Sequence, residues 1–110
     1  MIFDKNGNTT VVSQENIAIP AFLENLNAAY PKLESDNIIV NLFSFSKLGT
    51  GDVLEFLDIA RTHTANGKSF VLVTDKVGYE DVPDAITVVP TIQEAKDIIE
   101  MEEIERDLGI

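Results

Sequence analysis

The chain reads as an α/β domain on a parallel-rich sheet, and three features of its sequence carry that reading. Two short runs rich in β-branched and aromatic residues, Ile38-Ile39-Val40-Asn41-Leu42-Phe43 and Phe70-Val71-Leu72-Val73, have the length and composition of buried strands. Between them lies an amphipathic segment that opens at Thr50 and stops at Gly67. Two such strands joined through a helix make a βαβ unit, which requires parallel pairing with helices packed on the sheet. The third feature is Asn6-Gly7, set between Ile2-Phe3 and Val11-Val12, which signals a two-stranded hairpin at the N-terminus.

The remaining elements follow in order. Pro20 opens a helical segment in which Phe22, Leu23, Leu26, Ala29 and Tyr30 recur at three and four, and Pro31 is expected just beyond its last turn. Val53, Leu54, Phe56, Leu57 and Ala60 form the inner face of the second helix, and Gly67 suits the left-handed position after it. Gly78 to Asp84 is a loop or a single helical turn. Ile86-Thr87-Val88-Val89 is a last short strand, closed by Pro90. Thr91-Ile92-Gln93-Glu94 is a capping box that starts a terminal helix over about 92–108, with Ala95, Ile98, Ile99, Met101, Ile104 and Leu108 as its apolar residues. The expected order is hairpin, helix, strand, helix, strand, turn, strand, helix, in one domain over residues 1–110, with four or five strands in a mixed sheet and the helices mainly on one face.

Composition narrows the function. With 110 residues and 45% hydrophobic content the chain supports one core. No window approaches the roughly 18 apolar residues of a membrane span, and the start lacks the pattern of a secretory signal. These features suggest cytoplasmic residence. The absence of cysteine removes thiol nucleophiles, disulfides and zinc–thiolate sites. A net charge of −11, with eight scattered basic residues, argues against nucleic acid or anionic lipid as a partner and favours a basic or mixed protein surface.

The element order, with a hairpin first and a closing Thr91-Ile92-Gln93-Glu94-Ala95 helix, resembles the STAS domain family, the fold of bacterial anti-sigma-factor antagonists, from about Ile2 to Ile99. The chain also resembles a group of short Bacteroidetes proteins, some labelled ribonuclease Z. Nucleases of that class need several His and Asp ligands, and this chain has one histidine, His63. The STAS resemblance implies a regulatory module that meets a protein partner, kinase-like or anti-sigma-like, through the turn before the second helix. In the family a strand ending in aspartate leads to an Asp-Ser-Ser-Gly turn whose first serine is phosphorylated. Asn41 stands at the strand position, and Gly49-Thr50-Gly51-Asp52 falls on the turn with Thr50 at the phospho-acceptor. Ser46, Lys47, Thr50 and Asp52 are accordingly the expected partner-binding residues.

The residues themselves favour a plainer role for Thr50, the N-cap of the second helix. Asp52 already places a carboxylate in the favourable field of the first turn and would repel an added phosphate. His63, late in the second helix, is expected at the surface. Asp4 to Glu15 superficially follows a calcium-loop spacing, but Thr9 stands where that loop needs glycine. Asp75, Asp81 and Asp84 would suit a receiver-like magnesium site, a fold that the opening hairpin and the missing acidic pair after the first buried strand exclude. No nucleophile elbow, phosphate-binding loop or histidine cluster is present, so no catalytic residue, metal or cofactor is expected. The acidic residues of the terminal helix read as a solvated face opposite the Ile98/Met101 stripe. Met101, Ile104 and Leu108, past the core, form a second candidate contact surface. They make a self-associating accessory subunit, a homodimer, the alternative function.

Overall fold

A computed structural model describes residues 1–109. Strands β1 (Ile2–Asn6) and β2 (Thr9–Ser13) form the antiparallel hairpin, with Asn6 opposite Thr9. Gly7 takes the first loop position at φ +65°, so the turn is glycine-first and sits one residue later than an Asn-Gly turn would. Then follow α1 (Ile19–Leu33), β3 (Asn37–Asn41), α2 (Thr50–Leu54), α3 (Leu57–Ala65), β4 (Phe70–Val73), a 3-10 turn at Tyr79–Asp81, β5 (Thr87–Val89) and α4 (Ile92–Asp107).

The five strands lie in sequence order, β1-β2-β3-β4-β5, with β2 to β5 parallel. Parallel crossovers are right-handed, so adding strands in one direction puts every crossover on the same face. That face carries α1, α2 and α3 over Val12, Ile38, Val40, Phe70, Leu72 and Val88. The alternate residues Ile39, Val71 and Val73 face the other way and are covered by α4 through Ala95 and Ile99. The helices are therefore mainly on one face, and α4 alone closes the second.

Four local expectations are corrected. Pro31 lies inside α1 and does not end it. A proline there cannot donate to the preceding turn, but the helix runs on because Leu33 is buried and the Glu34 amide donates to the Tyr30 carbonyl at 2.9 Å. The helix after Thr50 is broken at Glu55–Phe56, where the Phe56 amide bonds back three residues to Val53. This tighter turn sends Phe56 into the core against Phe22 and leaves Leu54 exposed. Strand β3 ends at Asn41, and Phe43 is on the surface.

The fourth correction is His63, which is fully buried. Its Nε2 lies 2.7 Å from the Asp36 carbonyl oxygen, which can only accept, so Nε2 carries the hydrogen. Nδ1 then accepts from the Tyr30 hydroxyl at 2.7 Å, and Asn66 Nδ2 donates to the same hydroxyl oxygen at 3.3 Å. The neutral imidazole is satisfied at both nitrogens and ties α1, α3 and the entry to β3 together. Helical spacing near a helix end pointed outward, whereas a partner on each side drew the ring in.

On the other face, α4 changes character along its length. Past Ile99 its inner side carries no apolar residue, because the sheet ends there in two buried polar residues, Asn37 and Ser69. Asn37 Oδ1 accepts from the Ser69 amide at 2.9 Å, and Asn37 Nδ2 donates to Glu103 at 3.2 Å. Ser69 Oγ donates to Glu102 at 2.6 Å and accepts from Arg106 at 3.1 Å. Met101 is thus not on the packed stripe, and two of the acids read as solvated are docking groups.

Two outcomes follow. Burial holds the His63 pKa below its ordinary 6.5, opposed by the Asp36 carbonyl bond and the Asp36 charge and reinforced by Lys68. The unfolded chain therefore binds this proton first, and the stabilisation is full above pH 6.5 and is lost as pH falls from there towards the lower folded-state pKa. In urea unfolding, His63→Gln should cost about 2 kcal/mol at pH 7.5, from the partners it leaves unpaired, and the gap to the native chain should narrow towards pH 5.5; parallel curves would refute the assignment. Asn37→Ala, which strips the Ser69 amide of its acceptor, should also cost about 2 kcal/mol and should loosen α4 beyond Ile99.

Candidate functional site

The C-terminal end of β3 is where the chain leaves the sheet, and its geometry starts at Asn41. The Asn41 Oδ1 accepts from the Phe43 amide at 3.1 Å, a local turn that swings Phe43 outward. The Phe45 amide donates to the Leu42 carbonyl at 3.0 Å, and Ser44 Oγ donates to the Gln14 carbonyl at 3.3 Å. Phe45 packs edge-on against Phe22 with ring centroids 5.8 Å apart, and Leu48 is buried. These anchors hold the loop at both ends, so Ser46 and Lys47 stand exposed between fixed points.

At the start of α2 the cap is Gly49, and Thr50 is the first helical residue, exposed to solvent. The Asp52 carboxylate reaches back to accept from the Gly49 amide at 3.0 Å. This is the carboxylate half of a capping box, with glycine supplying no side chain for the other half. The capping role assigned to Thr50 therefore belongs to Asp52 and Gly49. The cause is local: Gly49 takes the extended cap conformation and Asp52 sits three residues on.

Ser46, Lys47 and Asp52 line one concavity of about 440 Å³ together with Ser44, Phe45 and the segment from Asn16 to Pro20. Thr50 is beside it rather than in its wall. Phe43 and Leu54, 48% and 40% exposed, add two apolar side chains to the surface that presents the turn. Both were read as inward-facing, and the only local signal against that was Asn41, a turn former at the end of an apolar run. The exposed Met101, Ile104 and Leu108 belong to a separate surface on α4.

The Ser44, Ser46 and Thr50 hydroxyls are at the C-terminal end of β3, while His63 is locked at its N-terminal end by Asp36 and Tyr30. No general base of that kind reaches them. Among the described residues no group of three or more His, Asp or Glu side chains is placed to hold a metal ion, and Asp75 pairs with Lys76 at 3.8 Å. No helix among the described residues is long and apolar enough to cross a membrane.

Comparison with known proteins bears on the fold. A solved structure of RsbS from Moorella thermoacetica, a serine-to-glutamate variant, superposes with a TM-score of 0.59 at 15% identity, covering 89% of this chain and 95% of that one. No family model matches the sequence, and no curated protein matches it. The fold is accordingly STAS-like, a mixed five-stranded α/β sheet.

The capping geometry sets a clear expectation for stability. Asp52→Ala should cost about 1 kcal/mol, as loss of a helix cap does. Thr50→Ala should stay within about 0.5 kcal/mol, as for an exposed position without such a role. Equilibrium unfolding of the two variants checks this, and the reverse ranking would return the cap to Thr50.

Proposed function

We propose that the chain is a non-enzymatic protein-interaction module, regulatory in the manner of anti-sigma-factor antagonists, that meets its partner through the turn between β3 and α2. Cytoplasmic residence accompanies this reading. The observation that carries it is the pairing of exposed apolar groups with an anchored loop: Phe43 and Leu54 are on the surface, and the loop with Lys47 is pinned by half-buried Phe45, packed on Phe22, and by buried Leu48. A contact surface that is ordered before binding loses little conformational freedom on association. Aromatic anchors in such settings commonly dominate the binding energy. The STAS-like fold supports the regulatory class, and a kinase-like or anti-sigma-like protein is the partner that resemblance implies.

Thr50 is the residue at which a phosphate would alter this surface. It is exposed, and its neighbour Asp52 already serves the Gly49 amide. A phosphate would crowd that carboxylate and disturb the turn through like-charge repulsion. Ser46, Lys47 and Asp52 would then act as the contact residues whose placement the modification changes.

A second reading is favoured by a specific observation on α4. Met101, Ile104 and Leu108 are at least half exposed on one side of the helix and take no part in either core cluster. An apolar stripe of that kind suits self-association as a homodimer or accessory subunit.

The test is capture from source-cell lysate with ATP, comparing the native chain with Phe43→Ala and Lys47→Glu baits. The interaction reading expects one dominant prey, reduced about tenfold by Phe43→Ala, the scale of a modest hot spot, with thermal unfolding of the baits unchanged. A phosphate on Thr50 in the recovered bait would identify the switch. A prey retained equally by every turn variant would refute the turn as the contact surface.

A further inference from the structure

We infer that the acidic outer stripe of α4 docks into the groove between β1 and α1 of a second copy of this chain. The inference rests on the self-association reading and names the surface that receives the helix. β1 is an edge strand of the sheet, and all of its residues are exposed. Phe3 is paired with Val12, whose side chain faces α1, so Phe3 points to that same side. Across from it α1 presents Ala28 and Ala29, whose small side chains leave a groove of about 320 Å³ that also reaches Leu33.

Charge says what fits there. Lys5 and Lys32 line this apolar groove on a chain whose net charge is −11. Asp36, the carboxylate in the groove, is held by Lys5 at 3.2 Å and by the Thr10 hydroxyl at 3.0 Å, so these two charges offset each other and Lys32 is the groove cation outside the ion pairs of the described residues. The complementary ligand has an apolar centre and carboxylate flanks. On α4, Met101, Ile104 and Leu108 supply that centre over about 10 Å of helix. Glu100, Glu105 and Asp107 neighbour them in sequence and are exposed, and the ion pairs among the described residues do not include them.

Alternative pairings are poorer. Two α4 stripes packed together would set carboxylates against carboxylates, which costs rather than gains. Docking within one molecule is excluded because the groove and α4 lie on opposite faces of the sheet. The contact is therefore between copies and joins two different surfaces, either reciprocally in a dimer or head to tail.

The chain has no cysteine, so single cysteines report contacts directly. Ala28→Cys and Ile104→Cys chains, mixed under mild oxidation, should give mainly the mixed disulfide, and Lys32→Glu should slow its formation roughly two- to fivefold, the scale of one exposed ion pair. Sedimentation velocity should show the native chain associating and Ile104→Glu and Phe3→Glu both monomeric, with circular dichroism confirming that each stays folded. Association with Ile104→Cys self-linkage predominating would overturn the groove while leaving self-association standing. A native chain that is monomeric throughout, with no linkage above that of a control pairing through Asp75→Cys, an exposed site away from both surfaces, would overturn both.

Discussion

Burial of β3 on both faces is the constraint on which the rest of this fold depends. Ile38, Ile39 and Val40 are wholly inaccessible, and β2 and β4 pair with the strand on either side. A strand so enclosed can carry polar side chains only near its ends. Both ends are asparagine, and they do opposite things. Asn37 is buried and fully employed, joining Ser69 to the acidic and basic residues of α4. Asn41 turns the chain out of the sheet and so creates the exposed turn.

The same enclosure separates the buried polar networks from the exposed turn in space. Around the N-terminal end of β3 converge the Asp36–His63–Tyr30 chain of hydrogen bonds and the Asn37–Ser69–α4 network, and no buried polar side-chain atom among the described residues lacks a partner. At the other end, contacts are made by anchors such as Phe45 and Leu48, and the residues between them are left to solvent. Right-handed crossovers explain the sides as well. They crowd three helices on one face and leave α4 to cover the other, while β1, the outer strand of the hairpin, stays at an edge of the sheet.

What was legible in the sequence was local. The hairpin glycine, the β3 and β4 runs, the left-handed Gly67 at φ +79° and the Thr91 cap on the Glu94 amide all rest on residues a few positions apart. Periodicity located α1 and α4 for the same reason. The misreadings at buried polar groups are long-range. His63 is drawn inward by Tyr30 and Asp36, some thirty positions away in sequence, and Glu102 and Glu103 are committed by Ser69, Asn37 and Asn8. Phe43 and Leu54 belong to apolar runs, and Asn41, a turn former two residues before Phe43, was the one local sign that the first run turns outward. At the site, the expected residues Ser46, Lys47 and Asp52 do converge on one concavity, whereas the cap moved from Thr50 to its neighbours because glycine at 49 and aspartate at 52 suited it better.

The central claim is that β3, held at its asparagine ends, supplies a rigid frame from which the turn is presented. Native-state hydrogen exchange of the free chain tests it most directly. The account predicts that the amides of Ile38 to Leu42 and of Phe70 to Val73 exchange only through global unfolding, while those of Ser46, Lys47 and Thr50 exchange through local opening. It predicts too that Asn37→Ala lowers protection in α4 beyond Ile99 more than in α1. Uniform protection across turn and sheet, or an Asn37→Ala effect spread evenly over all helices, would contradict it.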